Sequence, residues 1–138
     1  MIRALRAAGF RVTPQRLAVL RILAKSAGHP GAGDVHRAAR RAFPAISLAT
    51  VYKTLAALKA VGQVLELEFS GLPNRYDGCR PGPHPHVICQ ACGRIVDPRN
   101  LDLAPTVAVL AGETGFAIHG SRVDFFGTCP ACRRRAHC

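Results

Sequence analysis

Acidic residues are scarce in this chain: 8 Asp and Glu stand against 19 Lys and Arg, giving a formal net charge of +11 over 138 residues. The imbalance points to a polyanionic partner, nucleic acid first and an anionic membrane surface second, with a merely solvated basic face as the plainer alternative. Long apolar runs are missing as well. Arg or Lys interrupts them well short of membrane-spanning length, and no apolar segment follows Arg3 and Arg6 that would serve as an export signal. A cytoplasmic, reducing location without membrane association is therefore expected. There is no internal repeat, and no low-complexity tract beyond Arg133-Arg134-Arg135. At 49% hydrophobic and 20% charged, the composition is that of a globular chain rather than a disordered one.

Among the residues present, two Cys-x-x-Cys pairs carry the strongest signal. Cys89 and Cys92 are separated by 36 residues from Cys129 and Cys132. Four thiolates suit a tetrahedral, borderline-soft Zn²⁺ ion, and Cys-x-x-Cys lets two sulfurs converge across a tight turn, with Gly93 and Pro130 where such turns need them. A four-cysteine shell leaves no open coordination position, so the site reads as a structural staple rather than a catalytic centre. Two disulfides or redox dithiols are the alternatives, and the reducing location argues against them.

Residues 12–62 show helical spacing. Thr13-Pro14 is an N-cap followed by Pro at the first helical position, opening a helix through Leu17, Leu20 and Leu23 that should end near Gly28. A second helix is expected from about Ala32 to Ala42, stopped by Pro44, and a third from an N-cap at Ser47 to Val61, terminated by Gly62. Leu48, Val51, Leu55 and Leu58 form its inward stripe, leaving Ala49, Thr50, Tyr52, Lys53 and Thr54 outward. Two extended runs, 64–69 and 75–77, flank a turn at Ser70-Gly71-Leu72-Pro73-Asn74. Three helices followed by a hairpin make a winged helix-turn-helix. A recognition helix needs small residues for close approach, groups for base edges and cations for phosphates. Ala49, Thr50, Tyr52 and Lys53 supply these, while Arg11 can reach a minor groove and Gln15 and Arg16 can clamp the backbone. An amphipathic bundle with a solvated basic face is the alternative.

Residues 79–86, rich in Pro and Gly, read as a loop. Beyond it lie short strands at Val87-Ile88 and 94–97, a helix from about Asn100 to Thr114, and a strand from Phe116 to Phe126. The expected architecture is α+β: a DNA-binding domain over residues 1–77 and, over 78–138, a hinge with a small α/β dimerisation domain carrying the four-cysteine zinc site. So small a second unit needs a metal or a partner subunit. His84 and His86 alternate, which in an extended strand puts both imidazoles on one side. With Asp77, Asp97 and His29 they would form a nitrogen and oxygen set suited to Fe²⁺ or Mn²⁺, and also to Zn²⁺. Taken singly, each of these residues suits a surface or capping role, and spacing alone does not assemble His29 with the others. His36 is expected on a helix surface, His119 in a strand, and His137 and Cys138 in a tail.

The stretches Val-Thr-Pro-Gln-Arg at 12–16, Ile-Ser-Leu-Ala-Thr-Val-Tyr-Lys-Thr-Leu at 46–55 and His84-Pro-His86-Val-Ile-Cys89-Gln-Ala-Cys92-Gly93 together resemble the ferric uptake regulator (Fur) family of dimeric, metal-dependent winged-helix repressors. The resemblance covers roughly residues 5–132. It implies structural Zn²⁺ on the four paired cysteines, a sensory site on His29, Asp77, His84, His86 and Asp97, and a homodimer on a pseudo-palindromic duplex operator. His29 precedes Pro30, as the family pattern has it. Asp at both 77 and 97 is similar to the peroxide-sensing PerR branch, in which Fe²⁺ at the sensory site reacts with H₂O₂, a ligand histidine is oxidised and the repressor leaves DNA; His29 and His84 match the oxidised histidines. Iron-sensing members usually carry Glu at both places. Their additional metal site is expected to be absent, because Pro85, Ala104 and Ser121 occupy its positions. Cys79-x₄-His84-x-His86 is also similar to the zinc-sensing branch, making Cys79 an alternative metal or redox ligand. Zinc-responsive and iron-responsive repressors of metal-uptake genes thus remain as rivals. A His/Asp metalloenzyme is the rival of another class, but no catalytic base or substrate pocket is evident, so an enzyme is not expected.

Overall fold

Side-chain caps set the principal helices where the sequence places them. The computed structural model describes residues 1–26, 28–69 and 72–136. Helix α1 spans Ile2–Ala7, α2 Pro14–Lys25, α3 Ala32–Ala39 and α4 Leu48–Ala60. Thr13 Oγ1 accepts from the Arg16 N–H at 3.2 Å and Ser47 Oγ from the Thr50 N–H at 3.1 Å, each satisfying a donor that the first helical turn leaves open. At the far end of α4, Gly62 takes φ +64°, the left-handed conformation that stops a helix. Helix α1 is an addition to the expected three. It has no side-chain cap, yet Leu5 is fully buried in the core formed by Val19, Leu23, Val35, Leu55 and Leu58.

The hairpin consists of β1, Leu65–Phe69, and β2, Leu72–Asp77, paired antiparallel from Leu65↔Asp77 to Phe69↔Leu72, with an irregularity between Leu67 and Phe69. Of the expected turn from Ser70 to Asn74, Ser70 and Gly71 lie outside the described residues, whereas Leu72, Pro73 and Asn74 are the start of β2, because pairing of Leu72 with Phe69 extends the strand. Glu66 fastens the hairpin to α4. Its carboxylate accepts from Lys59 Nζ at 2.6 Å, Asn74 Nδ2 at 2.8 Å and Tyr76 Oη at 3.0 Å. Burial pushes the Glu66 carboxyl up, and these three donors outweigh it, holding it below its ordinary value. Beyond β2, Gly78 sits where a Cβ would come within 2.9 Å of Leu23 Cβ, so only glycine lets the chain press this closely onto α2.

The first compact unit is Met1–Gly82, and a second begins at Pro83. In the second unit β3, His86–Cys89, is the central strand of three. It pairs antiparallel with β4, Ile95–Val96, and parallel with β5, Asp124–Gly127. Helix α5 covers Ala104–Thr114 and α6 Pro130–Ala136, so Arg133-Arg134-Arg135 is helical rather than a tail. His137 and Cys138 lie outside the described residues.

Several expectations need correction. The strand anticipated over 116–126 is only Asp124–Gly127, and exposed His119 lies in the irregular segment before it. On α4, Thr54 is buried rather than outward, because its hydroxyl donates to the Thr50 carbonyl at 2.8 Å and so enters the core satisfied. Leu48, expected inward, is 41% exposed, one turn ahead of the buried stripe of Val51, Leu55 and Leu58. His36 is half-buried, and its Nε2–H donates to the Ile46 carbonyl at 2.9 Å, tying α3 to the segment entering α4. Because Ser47 caps the helix that displays Ala49, Tyr52 and Lys53, Ser47→Ala should cost about 1 kcal/mol of stability. Chemical denaturation of wild type and variant under identical conditions checks this, with the midpoint moving and the slope unchanged.

Candidate metal centres and nucleic-acid face

In the first unit, strand pairing explains how a loop histidine meets a hairpin carboxylate. Gly31 bridges Arg75 in antiparallel fashion and the Tyr76 N–H donates to the Pro30 carbonyl at 3.0 Å. Continuing that register puts His29 opposite Asp77, and His29 Nε2 lies 3.5 Å from Asp77 Oδ2. Asp77 Oδ1 accepts the backbone N–H groups of Cys79 at 2.7 Å and Arg80 at 2.9 Å, which aims the other oxygen at the histidine. Burial pushes the Asp77 carboxyl up, but His29 and the two N–H groups overcome this and hold it well below the usual carboxylate range. Asp77 is thus an anionic, preoriented oxygen donor. Cys79 is directed elsewhere: its Sγ lies 3.1 Å from the Ser26 carbonyl oxygen, 3.7 Å from that of Ala24 and 3.8 Å from that of Leu23, so its thiol proton points at the end of α2.

In the second unit, the pairing Val87↔Val96 places Asp97 beside His86. His86 Nε2 lies 4.0 Å from Asp97 Oδ1, and His84 Nε2 lies 3.6 Å from Asp97 Oδ2. The two imidazole rings stand 4.4 Å apart with side chains only 5% and 1% exposed. Same-side convergence is as expected, although His84 sits in the loop before β3 rather than within the strand. Two neutral imidazoles with one carboxylate make a donor set suited to Fe²⁺, Mn²⁺ or Zn²⁺. Sequence reasoning missed Asp124 on β5, whose Oδ1 lies 3.2 Å from the other ring nitrogen of His86. The available signal was an acidic residue interrupting the apolar run Val123 to Phe126.

The four paired cysteines meet at the other end of the same sheet. Cys89 closes β3, and the Gly93 N–H donates to its carbonyl at 2.8 Å in the turn leading past Cys92, with Gly93 at φ +69°. Cys129 precedes α6 and accepts the Arg133 N–H at 2.9 Å, bringing Cys132 onto the first turn of that helix. All four sulfurs lie within 4.8 Å of one another, and Cys92 Sγ is 3.8 Å from Cys129 Sγ. Tetrahedral Zn–S bonds of about 2.3 Å require sulfurs about 3.8 Å apart, so this cluster fits the ion. The Cys129 N–H on the Cys89 sulfur, at 3.2 Å, helps lower that thiol to about 6, whereas hydrogen bonding with Cys129 and Cys92 pushes Cys132 up to about 12. Backbone N–H groups on the Cys89 and Cys129 sulfurs thus favour the thiolate form that metal ligation requires.

On the outward face of α4, Ala49, Tyr52 and Lys53 are exposed, Tyr52 at 51%. Thr50 is half-buried, with its hydroxyl 2.9 Å from Ser47 Oγ. Arg16 donates to the Arg11 carbonyl at 2.6 Å and packs over the Phe10 ring, while Gln15 lies half-buried in the first turn of α2.

The model of the Ferric uptake regulator family matches residues 7–126. The chain belongs to that family. Among curated relatives, the peroxide-responsive repressor PerR of Staphylococcus epidermidis is 36% identical over 136 residues, spanning 99% of this chain and 90% of the relative. The peroxide operon regulator of Bacillus subtilis is 37% identical over 131 residues, 95% of this chain and 90% of the relative. The solved structure of the Campylobacter jejuni peroxide stress regulator matches with a TM-score of 0.75 at 32% identity, covering 96% of this chain and 98% of that one. The chain is accordingly a Fur-family regulator and not an enzyme. Among its described residues no helix is long and apolar enough to cross a membrane.

Replacing Cys89 or Cys129 with Ser should remove about one Zn²⁺ per chain and impair folding or dimerisation, because three thiolates cannot close the shell. Elemental analysis alongside size-exclusion chromatography checks this. A variant that keeps fold and dimer without zinc would remove the structural role.

Proposed function

We propose that this protein is a cytoplasmic, homodimeric, metal-dependent transcriptional repressor that binds a pseudo-palindromic duplex operator and senses peroxide. Cys89, Cys92, Cys129 and Cys132 hold structural Zn²⁺. His29 and Asp77 of the first unit, with His84, His86 and Asp97 of the second, hold regulatory Fe²⁺ or Mn²⁺. The observation that carries the peroxide reading is the all-aspartate carboxylate set: Asp77 stands against His29, and Asp97 against both His84 and His86. The Cys79 thiol, occupied with carbonyl oxygens of α2, supports this over a zinc-type set that would draw on it.

Bound Fe²⁺ supplies the reduction of H₂O₂ to a local oxidant, and Mn²⁺ does not. The protein residues do the rest. Asp77 and Asp97 provide hard anionic oxygens, and His29 and His84 present the imidazoles to be oxidised. Ligands drawn from both units would make metal binding favour one arrangement of the DNA-binding units, a population shift that loss of one histidine ligand reverses. Support for a homodimer comes from the apolar surface of the second unit, where Val109, Leu110, Phe116, Phe125 and Phe126 are between 45% and 73% exposed. The basic balance and the exposed Tyr52 and Lys53 support duplex DNA as partner.

Tyr52→Ala should weaken specific operator binding by about 1–3 kcal/mol, the usual size of a lost base contact. Titration against operator and random duplex at fixed salt checks it. Equal affinity of the wild-type protein for both duplexes would instead mark a non-specific binder.

For sensing, a brief H₂O₂ pulse on the Fe²⁺ form should add oxygen to His29 or His84 and release DNA, while the Mn²⁺ form resists. Asp97→Glu should keep metal-dependent DNA binding yet blunt the release, because a longer carboxylate changes the geometry around the metal. Peptide mass spectrometry with a parallel DNA-binding assay decides. Oxidation confined to Cys79, with both histidines intact and DNA released, would replace the iron-centred reading with a thiol switch.

A further inference from the structure

His86 stands between two carboxylates, one from each strand that flanks β3. On the β4 side, Asp97 Oδ1 faces Nε2 at 4.0 Å. On the β5 side, His86 is in register with Asp124, and Asp124 Oδ1 lies 3.2 Å from Nδ1. The second oxygen of Asp124 accepts from Arg122 Nε at 2.8 Å. Asp124 is 11% exposed, whereas Arg122 reaches halfway into solvent. A carboxylate only accepts, so the contact at Nδ1 favours a proton there, and the neutral ring then carries its lone pair on Nε2, the nitrogen turned toward Asp97.

We propose that Asp124 is a positioning residue of the regulatory metal site: it holds His86 in the Nδ1–H tautomer, aims Nε2 at a divalent cation and strengthens that nitrogen as a donor, while Arg122 fixes the Asp124 carboxylate. The inference rests on the assignment of His86 as a metal ligand. Asp124 is not itself a ligand, because it occupies the opposite ring nitrogen from the one shared with Asp97. Its position on a paired strand, rather than a loop, holds the imidazole plane before metal arrives. A carboxylate in this place strengthens metal binding through a histidine it touches, typically by about 10–100-fold.

The test uses full-length protein carrying its structural zinc and freed of regulatory metal. Long-range ¹⁵N–¹H NMR of wild type should show His86 as the Nδ1–H tautomer, and Asp124→Ala should lose that preference. Calorimetric titration with Mn²⁺ should give Asp124→Ala an affinity lower by roughly 10–100-fold, with Asp124→Glu recovering most of it and the zinc content unchanged in both. An Asp124→Ala protein with the wild-type tautomer and affinity within about twofold of wild type would overturn the proposal. So would a loss that Asp124→Glu fails to recover. Should Asp124→Ala not fold, the nearly isosteric Asp124→Asn carries the test, with a severalfold weaker Mn²⁺ affinity expected and an unchanged affinity overturning the idea. Wild-type protein that binds neither Mn²⁺ nor Fe²⁺ would defeat the functional reading instead, while the tautomer would still decide the role of Asp124.

Discussion

The second unit cannot bury a hydrophobic core of its own, and its chemistry follows from that constraint. Pro85, Ile88 and Cys89 are its buried apolar side chains among the described residues, and α5 buries none. At about 25 cal/mol per Å² of apolar surface, three such side chains offset little of the entropy of ordering more than fifty residues. Small units in this position rely on metals or on association. The four-sulfur cluster answers the first need by joining the β3 end to the start of α6, and the exposed Phe116, Phe125 and Phe126 answer the second by offering a surface for another chain.

The first unit is built the other way. Its helices share one apolar core, with Leu5, Val19, Val35, Val51 and Leu58 fully buried, and polar contacts only direct its periphery. Glu66 binds the hairpin to α4, and the Gly31–Arg75 bridge binds the α2–α3 loop to the hairpin. The consequence for function is local. Elements of this apolar core bring His29 and Asp77 together, so this half of the proposed donor set is ordered by folding itself.

How much of this was legible in the sequence depended on the range of the interactions. Thr13, Ser47 and Gly62 act within four residues, and each bounds its helix as its chemistry requires. The Cys-x-x-Cys spacing encodes two tight turns, so the convergence of sulfurs could be anticipated even though the 36 intervening residues could not be traced. Long-range register was another matter. Nothing local distinguishes Asp124 from an edge-strand charge, because its meaning comes from the parallel pairing of β5 with β3. Thr54 departs from this pattern: its polar side chain reads as outward although the bond that lets it enter the core is local, from its hydroxyl back to the Thr50 carbonyl. Helix α1 was missed because Ile2 and Leu5 offer too short a pattern to outweigh an uncapped terminus.

Strand β3 contributes to both side-chain clusters, the four sulfurs and the His/Asp group. His86 and Cys89 are the two ends of one four-residue strand, so with a rise of about 3.3 Å per residue their backbones stand about 10 Å apart. Strand β5 runs alongside in the same direction, from Asp124 opposite His86 to Gly127 opposite Cys89, two residues short of Cys129. The β3–β5 pair is thus pinned at one end by the sulfur cluster and at the other by the His86–Asp124 contact. Slipping the register by one residue would turn His86 away from Asp124 and separate Cys89 from Cys129 together. Zn²⁺ bound by the four cysteines would therefore help hold the register on which the His86–Asp124 contact depends.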